Sequence, residues 1–110
     1  SDVYKRQITP REFSSMVMLV RDALLEMKKV LDYTGDVAAN YMKMEARCRK
    51  IYVFEERGDE FYREEIRRLF TEKQSAAYMI YWKDILVDVE RMLDAAAGAA
   101  TLLQKLFVRV

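Results

Sequence analysis

The 110-residue chain contains no histidine, and it has only one cysteine, one proline and three glycines. The lack of histidine excludes Ser-His-Asp and Cys-His nucleophilic systems, the usual zinc enzymes and the Glu-x-x-His motif of ferritin-like di-iron bundles. The single cysteine, Cys48, excludes an internal disulfide and favours a reducing compartment. Any metal site must therefore be built from carboxylates together with backbone or water oxygens.

The chain also lacks a strong charge bias and long apolar runs. Its 19 basic and 18 acidic residues give a net charge of +1, which does not indicate nucleic acid as a partner. No uncharged apolar run approaches the roughly 20 residues of a membrane span, and no secretory signal is visible. The sequence shows no nucleophile with a histidine base and no phosphate loop. We therefore expect that the protein is not an enzyme.

Long amphipathic stretches make up most of the remaining sequence. Apolar residues recur every three or four positions, and this spacing predicts helices at about 10–33, 37–72 and 76–108. Both connections are short, so neighbouring helices should run antiparallel. The sequence thus predicts an all-α fold, an antiparallel three-helix bundle. The predicted core stripes are Phe13, Met16, Val17, Val20, Leu24, Met27 and Leu31; Tyr41, Met44, Cys48, Ile51, Tyr62, Ile66 and Leu69; and Tyr78, Trp82, Ile85, Val89, Met92, Leu93, Ala96, Ala100, Leu103 and Phe107.

Residues that favour helix ends lie near the predicted boundaries. Thr9 and Glu12 have the spacing of a capping box, with Pro10 as the first helical residue. The other signals are Gly35 as a left-handed C-terminal cap, and Asp36 and Ser75 as N-caps.

Residues 1–7 have no pattern that connects them to the first helix, and they resemble the in-frame translation of a transposase-type sequencing adapter. We interpret them as a non-native scar, which leaves residues 8–110 as the bundle. The chain would then be a fragment of a longer protein.

Two carboxylates of the middle helix occupy positions where apolar residues are expected. At 100° per residue, Glu55 and Asp59 point within about 20° of Cys48 and Ile66, on the predicted core face. Gly58 between them predicts a close approach by another group. Glu90 and Asp94 repeat the spacing at the margin of the last helix's stripe. Four carboxylates from two adjacent helices suit an oxygen-bound cation. The alternative is salt bridges, with Asp59 paired to Arg63, and Glu55 and Glu90 paired to other basic neighbours.

The segment 54–70 resembles the central helix of the PhoU-like phosphate-transport regulators. An acid, then Gly58-Asp59, then Tyr62-Arg63 and Leu69-Phe70 follow in the order seen in that family. Trp82-Lys83-Asp84-Ile85, followed by Glu90-Arg91-Met92-Leu93-Asp94, is similar to the family's last helix. The family has two three-helix repeats, and this chain resembles the second.

The resemblance implies a cytoplasmic accessory regulator of inorganic phosphate transport that acts with a low-affinity phosphate permease at the inner face of the membrane. It also implies an iron or zinc cluster held by Glu55, Asp59, Glu90 and Asp94, although other divalent cations suit the same oxygens. The chain departs from the family after Asp94, where residues 95–100 are alanine and glycine. A homo-oligomer is a further possible assembly. The alternative function is a structural or oligomerising bundle without metal, whose inward acids form salt bridges.

Overall fold

The computed structural model describes residues 10–108 and shows three helices with no strand among them. Helix α1 spans Phe13–Asp32, α2 spans Val37–Thr71, and α3 spans Ala76–Val108. A 3₁₀ turn, Tyr33–Asp36, joins α1 to α2, and residues 72–75 join α2 to α3. Both connections are short, and the bundle measures 57 × 21 × 15 Å along its principal axes. The predicted all-α class is confirmed.

The predicted N-caps of α2 and α3 are confirmed, whereas the predicted end of α1 is wrong. Asp36 Oδ1 accepts a hydrogen bond from Ala39 N at 3.1 Å, and Ser75 Oγ accepts one from Tyr78 N at 3.1 Å. Gly35 does not adopt a left-handed conformation, because no residue of the described chain has a positive φ. The backbone instead tightens into the 3₁₀ turn and leads directly into α2.

The start of α1 also differs from the expected capping box. The helix begins at Phe13, with Glu12 as the cap residue and no hydrogen bond from a capping side chain. The Glu12 amide instead donates to Glu65 Oε1 of α2 at 2.9 Å. A side chain from another helix therefore satisfies one of the free amides at this terminus. Thr9 and residues 1–7 lie outside the described part of the chain.

The buried face of α1 is rotated away from the predicted stripe. Val17, Leu24 and Leu31 are 42%, 57% and 52% exposed, and the side chains that turn inward follow the row Met16, Leu19, Ala23, Glu26 and Val30. Apolar residues cover a larger part of the surface of α1 than α2 and α3 can bury, so those along one side of the helix stay exposed to solvent. On α3, Met92 is likewise 56% exposed although the sequence places it in the core stripe.

The buried apolar residues form two clusters at different levels of the bundle. The larger contains Ile51, Leu93 and Ala100, and the smaller contains Leu69, Leu86 and Val89. Along α2 and α3, the level between the clusters holds Glu55, Gly58, Asp59 and Glu90. Polar groups therefore interrupt the apolar core at one level of the α2–α3 interface.

Candidate functional site: a carboxylate cluster between α2 and α3

A glycine brings α2 and α3 together at the interrupted level. Gly58 is buried, and a Cβ atom placed on it would collide with Cδ1 of Leu93 on α3. The same Cβ position lies 3.8 Å from Oε2 of Glu90. The close approach predicted from Gly58 is confirmed, and the Glu90 carboxyl lies beside it in the interface.

Glu90 is the carboxyl most affected by this packing. Its Oε2 atom is buried, and no hydrogen-bond partner for it lies within the described residues. Burial of the Glu90 carboxyl, together with the neighbouring acids Asp59, Asp94 and Glu55, raises the pKa of Glu90 to about 8. At neutral pH and without a cation, a carboxyl group with this pKa is protonated.

The negative charges of Asp59 and Asp94, which act on Glu90, also act on Glu55. Burial raises the pKa of Glu55, and the charges of Asp94, Asp59 and Glu56 raise it further. Because both Glu55 and Glu90 respond to Asp59 and Asp94, the four predicted carboxylates share one electrostatic environment. They differ in exposure, since Glu55 and Glu90 are half-buried, whereas Asp94 is exposed.

The salt-bridge alternative holds for one of the four acids. Asp59 Oδ2 lies 3.2 Å from Arg63 Nη1 in an exposed pair on α2, where the Asp59 side chain is 44% exposed. Within residues 10–108, no ion pair is formed by Glu55, Glu90 or Asp94. The predicted basic partners of Glu55 and Glu90 are thus not found in the described chain.

The cluster has the donor chemistry of a cation site without a preformed ligand set. Carboxylate oxygens are the ligands that hard divalent ions prefer, and the buried oxygen of Glu90 has no competing partner. In the described chain, however, no three acidic or cysteine side chains are arranged so that they hold a metal ion. Cation binding would require Glu55 or the exposed Asp94 to turn toward Glu90.

The structure also buries two acids that the sequence reasoning missed. Glu26 of α1 is 8% exposed and pairs with Arg47 Nη1 at 3.2 Å and with Lys29 Nζ at 3.6 Å. Glu65 of α2 is 2% exposed and pairs with Arg68 Nη1 at 3.0 Å while it accepts the Glu12 amide. Both acids lie three or four residues from buried apolar residues of the same helix, and this spacing could have predicted their burial.

Basic residues of α2 do not form a free patch. Besides the pair with Glu26, Arg49 Nη1 lies 3.0 Å from Glu45, and Lys43 Nζ lies 5.9 Å from the centre of the Tyr33 ring. These three basic side chains are thus engaged with neighbouring residues of the bundle. Cys48 is fully buried, and burial raises the pKa of its thiol, so it is not placed for reactivity.

Comparisons of the chain with protein families, curated proteins and solved structures find no match. Among residues 10–108, no helix combines the length and apolar character that crossing a membrane requires.

Proposed function

We propose that the chain is a non-catalytic helical bundle that regulates inorganic phosphate transport and binds a divalent cation through Glu55, Asp59, Glu90 and Asp94. The observation that carries the cation part is the Glu90 carboxyl, which is drawn into the α2–α3 interface with one oxygen unpartnered. Burial and the charges of neighbouring acids raise the pKa values of Glu55 and Glu90, and a bound cation would favour the charged form of both carboxylates.

The phosphate-transport part of the proposal depends on the resemblance to the PhoU-like regulators. The segment that carries the resemblance, 54–70, includes the Gly58 contact and two of the four acids. In this proposal the protein is cytoplasmic and acts at the inner membrane face on a low-affinity phosphate permease, with iron or zinc as the metal.

The alternative is a structural bundle that holds no metal. It draws support from the absence of a preformed ligand set in residues 10–108 and from the Asp59–Arg63 pair. In that case, a proton retained by Glu90 takes the place of the cation and reduces the repulsion.

Metal content separates the two functions. We expect purified protein to contain iron or zinc by elemental analysis, and we expect Glu55→Ala and Glu90→Ala to reduce the metal content at least tenfold. Glu56→Ala and Glu60→Ala are matched controls, because both acids lie on α2 beside the cluster but are exposed. Protein that remains metal-free after incubation with excess iron or zinc, or four variants with equal metal content, would contradict the cation site.

The role in transport needs its own experiment. Co-expression of the chain with a low-affinity phosphate permease, in cells that lack other phosphate uptake systems, should change the rate of radiolabelled phosphate uptake. The Glu55→Ala and Glu90→Ala variants should lose this effect, whereas Glu56→Ala should retain it. An unchanged uptake rate with well-expressed wild-type protein would contradict the regulatory role and leave the metal result standing.

A further inference from the structure

The exposed apolar residues of α1 and α3 follow two regular rows. On α1, Val17, Leu24 and Leu31 recur every seven residues, and on α3, Met92, Ala99 and Leu106 do the same. All six are exposed, and the five large side chains among them are 42–57% exposed. A seven-residue repeat places each row along one line of its helix, which is the pattern of a helix that packs against another helix.

Both rows border the seam between α1 and α3. On α1, Glu26 lies on the edge that faces α2, because it pairs with Arg47 of that helix. The row that contains Leu24 lies on the other edge of α1, together with Phe13. The Phe13 ring contacts the Trp82 ring of α3, with centroids 5.1 Å apart. On α3, Thr101 marks the α2 side through its hydrogen bond with Tyr52, and Met92 projects from the other side.

The two rows match in level as well as in spacing. α1 and α3 run in the same direction, since α2 runs antiparallel to both, and the Phe13–Trp82 contact fixes their register. Leu24 follows Phe13 by eleven residues and Met92 follows Trp82 by ten, so the two lie within about 2 Å along the axis at 1.5 Å per residue. The same offset aligns Leu31 with Ala99. The rows therefore lie side by side at these two levels, and Val17 and Leu106 extend them at opposite ends; together they are called the α1–α3 apolar strip.

The charges beside the strip have opposite signs on its two sides. On the outer side of α1 lie Arg21 and Lys28, and on the outer side of α3 lie Asp84 and Asp88, all four exposed or half-exposed. Arg21 now contacts the adjacent Asp22 at 3.0 Å, and Asp88 contacts Arg91 at 3.7 Å. Exposed pairs of this kind are weak and exchange readily for others.

We infer that a second copy of this chain docks on the α1–α3 apolar strip. A two-fold axis parallel to the helices places α1 of one copy beside α3 of the other, in the same direction and at the same level. Arg21 then faces Asp88 of the second copy, because they follow Phe13 and Trp82 by eight and six residues, about 3 Å apart along the axis. The basic side of the strip in each copy contacts the acidic side in the other copy. The contact occurs twice because a two-fold interface repeats every contact. This inference is independent of the cation and of phosphate transport.

The extent of the strip sets the strength of the association. A face of two helix widths along the 20 residues of α1 covers roughly 20 × 30 Å, on the order of 600 Å² per copy. Stable complexes bury at least about 600 Å² per partner, so the strip is at the lower end of that range. A weak, concentration-dependent dimer is the expected state.

The test is the sedimentation behaviour of the whole chain over a range of concentrations. Wild-type protein should show a monomer–dimer equilibrium, and Leu24→Glu should weaken dimerisation at least tenfold. Leu25→Glu is the matched control, because Leu25 is 51% exposed against 57% for Leu24 but points about 100° away from the row around α1. A monomeric wild type at high concentration, or equal effects of the two substitutions, would overturn the inference.

Charge exchange tests the predicted orientation. Arg21→Glu and Asp88→Arg should each weaken the dimer severalfold, and the double variant should recover wild-type association. Circular dichroism should show unchanged helix content in all variants. A double variant that associates no better than the single variants would exclude the pairing of α1 with the partner's α3.

Discussion

Some buried acids of this bundle are paired with arginines, and another has an oxygen without a partner. This difference separates structural carboxylates from candidates for function. Glu26 and Glu65 are almost fully buried, and each pairs with an arginine. Glu90 is less buried, yet one of its oxygens has no partner in the described chain. Burial of a paired carboxylate is compatible with stability, whereas an unpaired one needs a proton or a cation.

The comparison also shows where each kind of acid acts. Glu65 joins the start of α1 to α2, and Glu26 joins the later part of α1 to α2, so both connect the two helices through hydrogen bonds. Glu90 lies where the apolar core is interrupted and where Gly58 allows α2 and α3 to approach closely. The first two acids connect helices, and the third is the candidate for the proposed cation binding.

Removal of a paired acid should have the largest effect. Glu65→Ala leaves the Glu12 amide without its acceptor and Arg68 without its buried partner, so we expect a loss of about 3 kcal/mol in the free energy of unfolding. Urea denaturation followed by circular dichroism measures this. Glu45→Ala is the control, since Glu45 pairs with the exposed Arg49 on the surface of α2, and it should cost no more than about 0.5 kcal/mol. Equal losses in both variants would contradict the structural role of Glu65.

Disruption of the close contact between Gly58 and α3 should have the second largest effect on stability. Gly58→Val forces new atoms against the buried Leu93 side chain, and we expect a loss of about 2 kcal/mol in unfolding free energy. Gly98→Val is the matched control, because nothing lies within 4 Å of the Cβ position of that helical glycine. A tolerated Gly58→Val would show that α2 and α3 are free to separate at the level of Glu90, which removes the cause of its burial.

Much of this arrangement is encoded in sequence spacing, and the part that is not depends on neighbours. The inward side chains of α2 follow the continuous three-four row Met44, Cys48, Ile51, Glu55, Gly58, Tyr62, Glu65 and Leu69. The apolar periodicity therefore predicts where along α2 the acids face inward, and it predicts that Gly58 lies at a close contact between helices. It does not reveal which acid is left unpaired, because this depends on which cations the adjacent helix presents.

The misplacement of the α1 stripe has the same origin. Phe13, Val17, Leu24 and Leu31 have good helical spacing, but the side of α1 that becomes buried is decided by where α2 and α3 pack. The burial of Glu26 could not be predicted in the same way, because its pairing with Arg47 is a contact between helices. Similarly, Gly35 satisfies the sequence signature of a left-handed cap, whereas a 3₁₀ turn joins α1 directly to α2.

The unpaired acid predicts a specific pH dependence. The pKa of Glu90 is about 8 in the folded protein, above the reference value of 4.5, so the folded state binds more protons than the unfolded state between these pH values. In metal-free protein, Glu90 should therefore lower stability progressively from about pH 4.5 to pH 8, and no further above it. After allowance for solvent screening, we expect this loss to be about 1 kcal/mol.

Glu90→Gln should remove this part of the pH dependence and become more stable than wild type at pH 8. Thermal unfolding of both proteins at pH 5 and pH 8, with chelator present, measures the difference. The exposed Glu60→Gln serves as the control and should follow the wild-type profile. Parallel profiles for wild type and Glu90→Gln would show that Glu90 is ionised and satisfied in the folded protein.

The smallest expected effect concerns the one acid of the cluster that has a basic partner. Arg63 and Asp59 form an i, i+4 pair whose side chains are 66% and 44% exposed, and such pairs contribute about 0.3–0.5 kcal/mol. We expect Arg63→Ala to cost no more than this, and a double-mutant cycle with Asp59→Ala to give a coupling of the same size. Metal binding should be retained or strengthened in Arg63→Ala, since Asp59 is then free to face the other three acids. A coupling above about 1 kcal/mol would make Asp59 a structural acid like Glu26 and Glu65, and the cluster would be reduced to Glu55, Glu90 and Asp94.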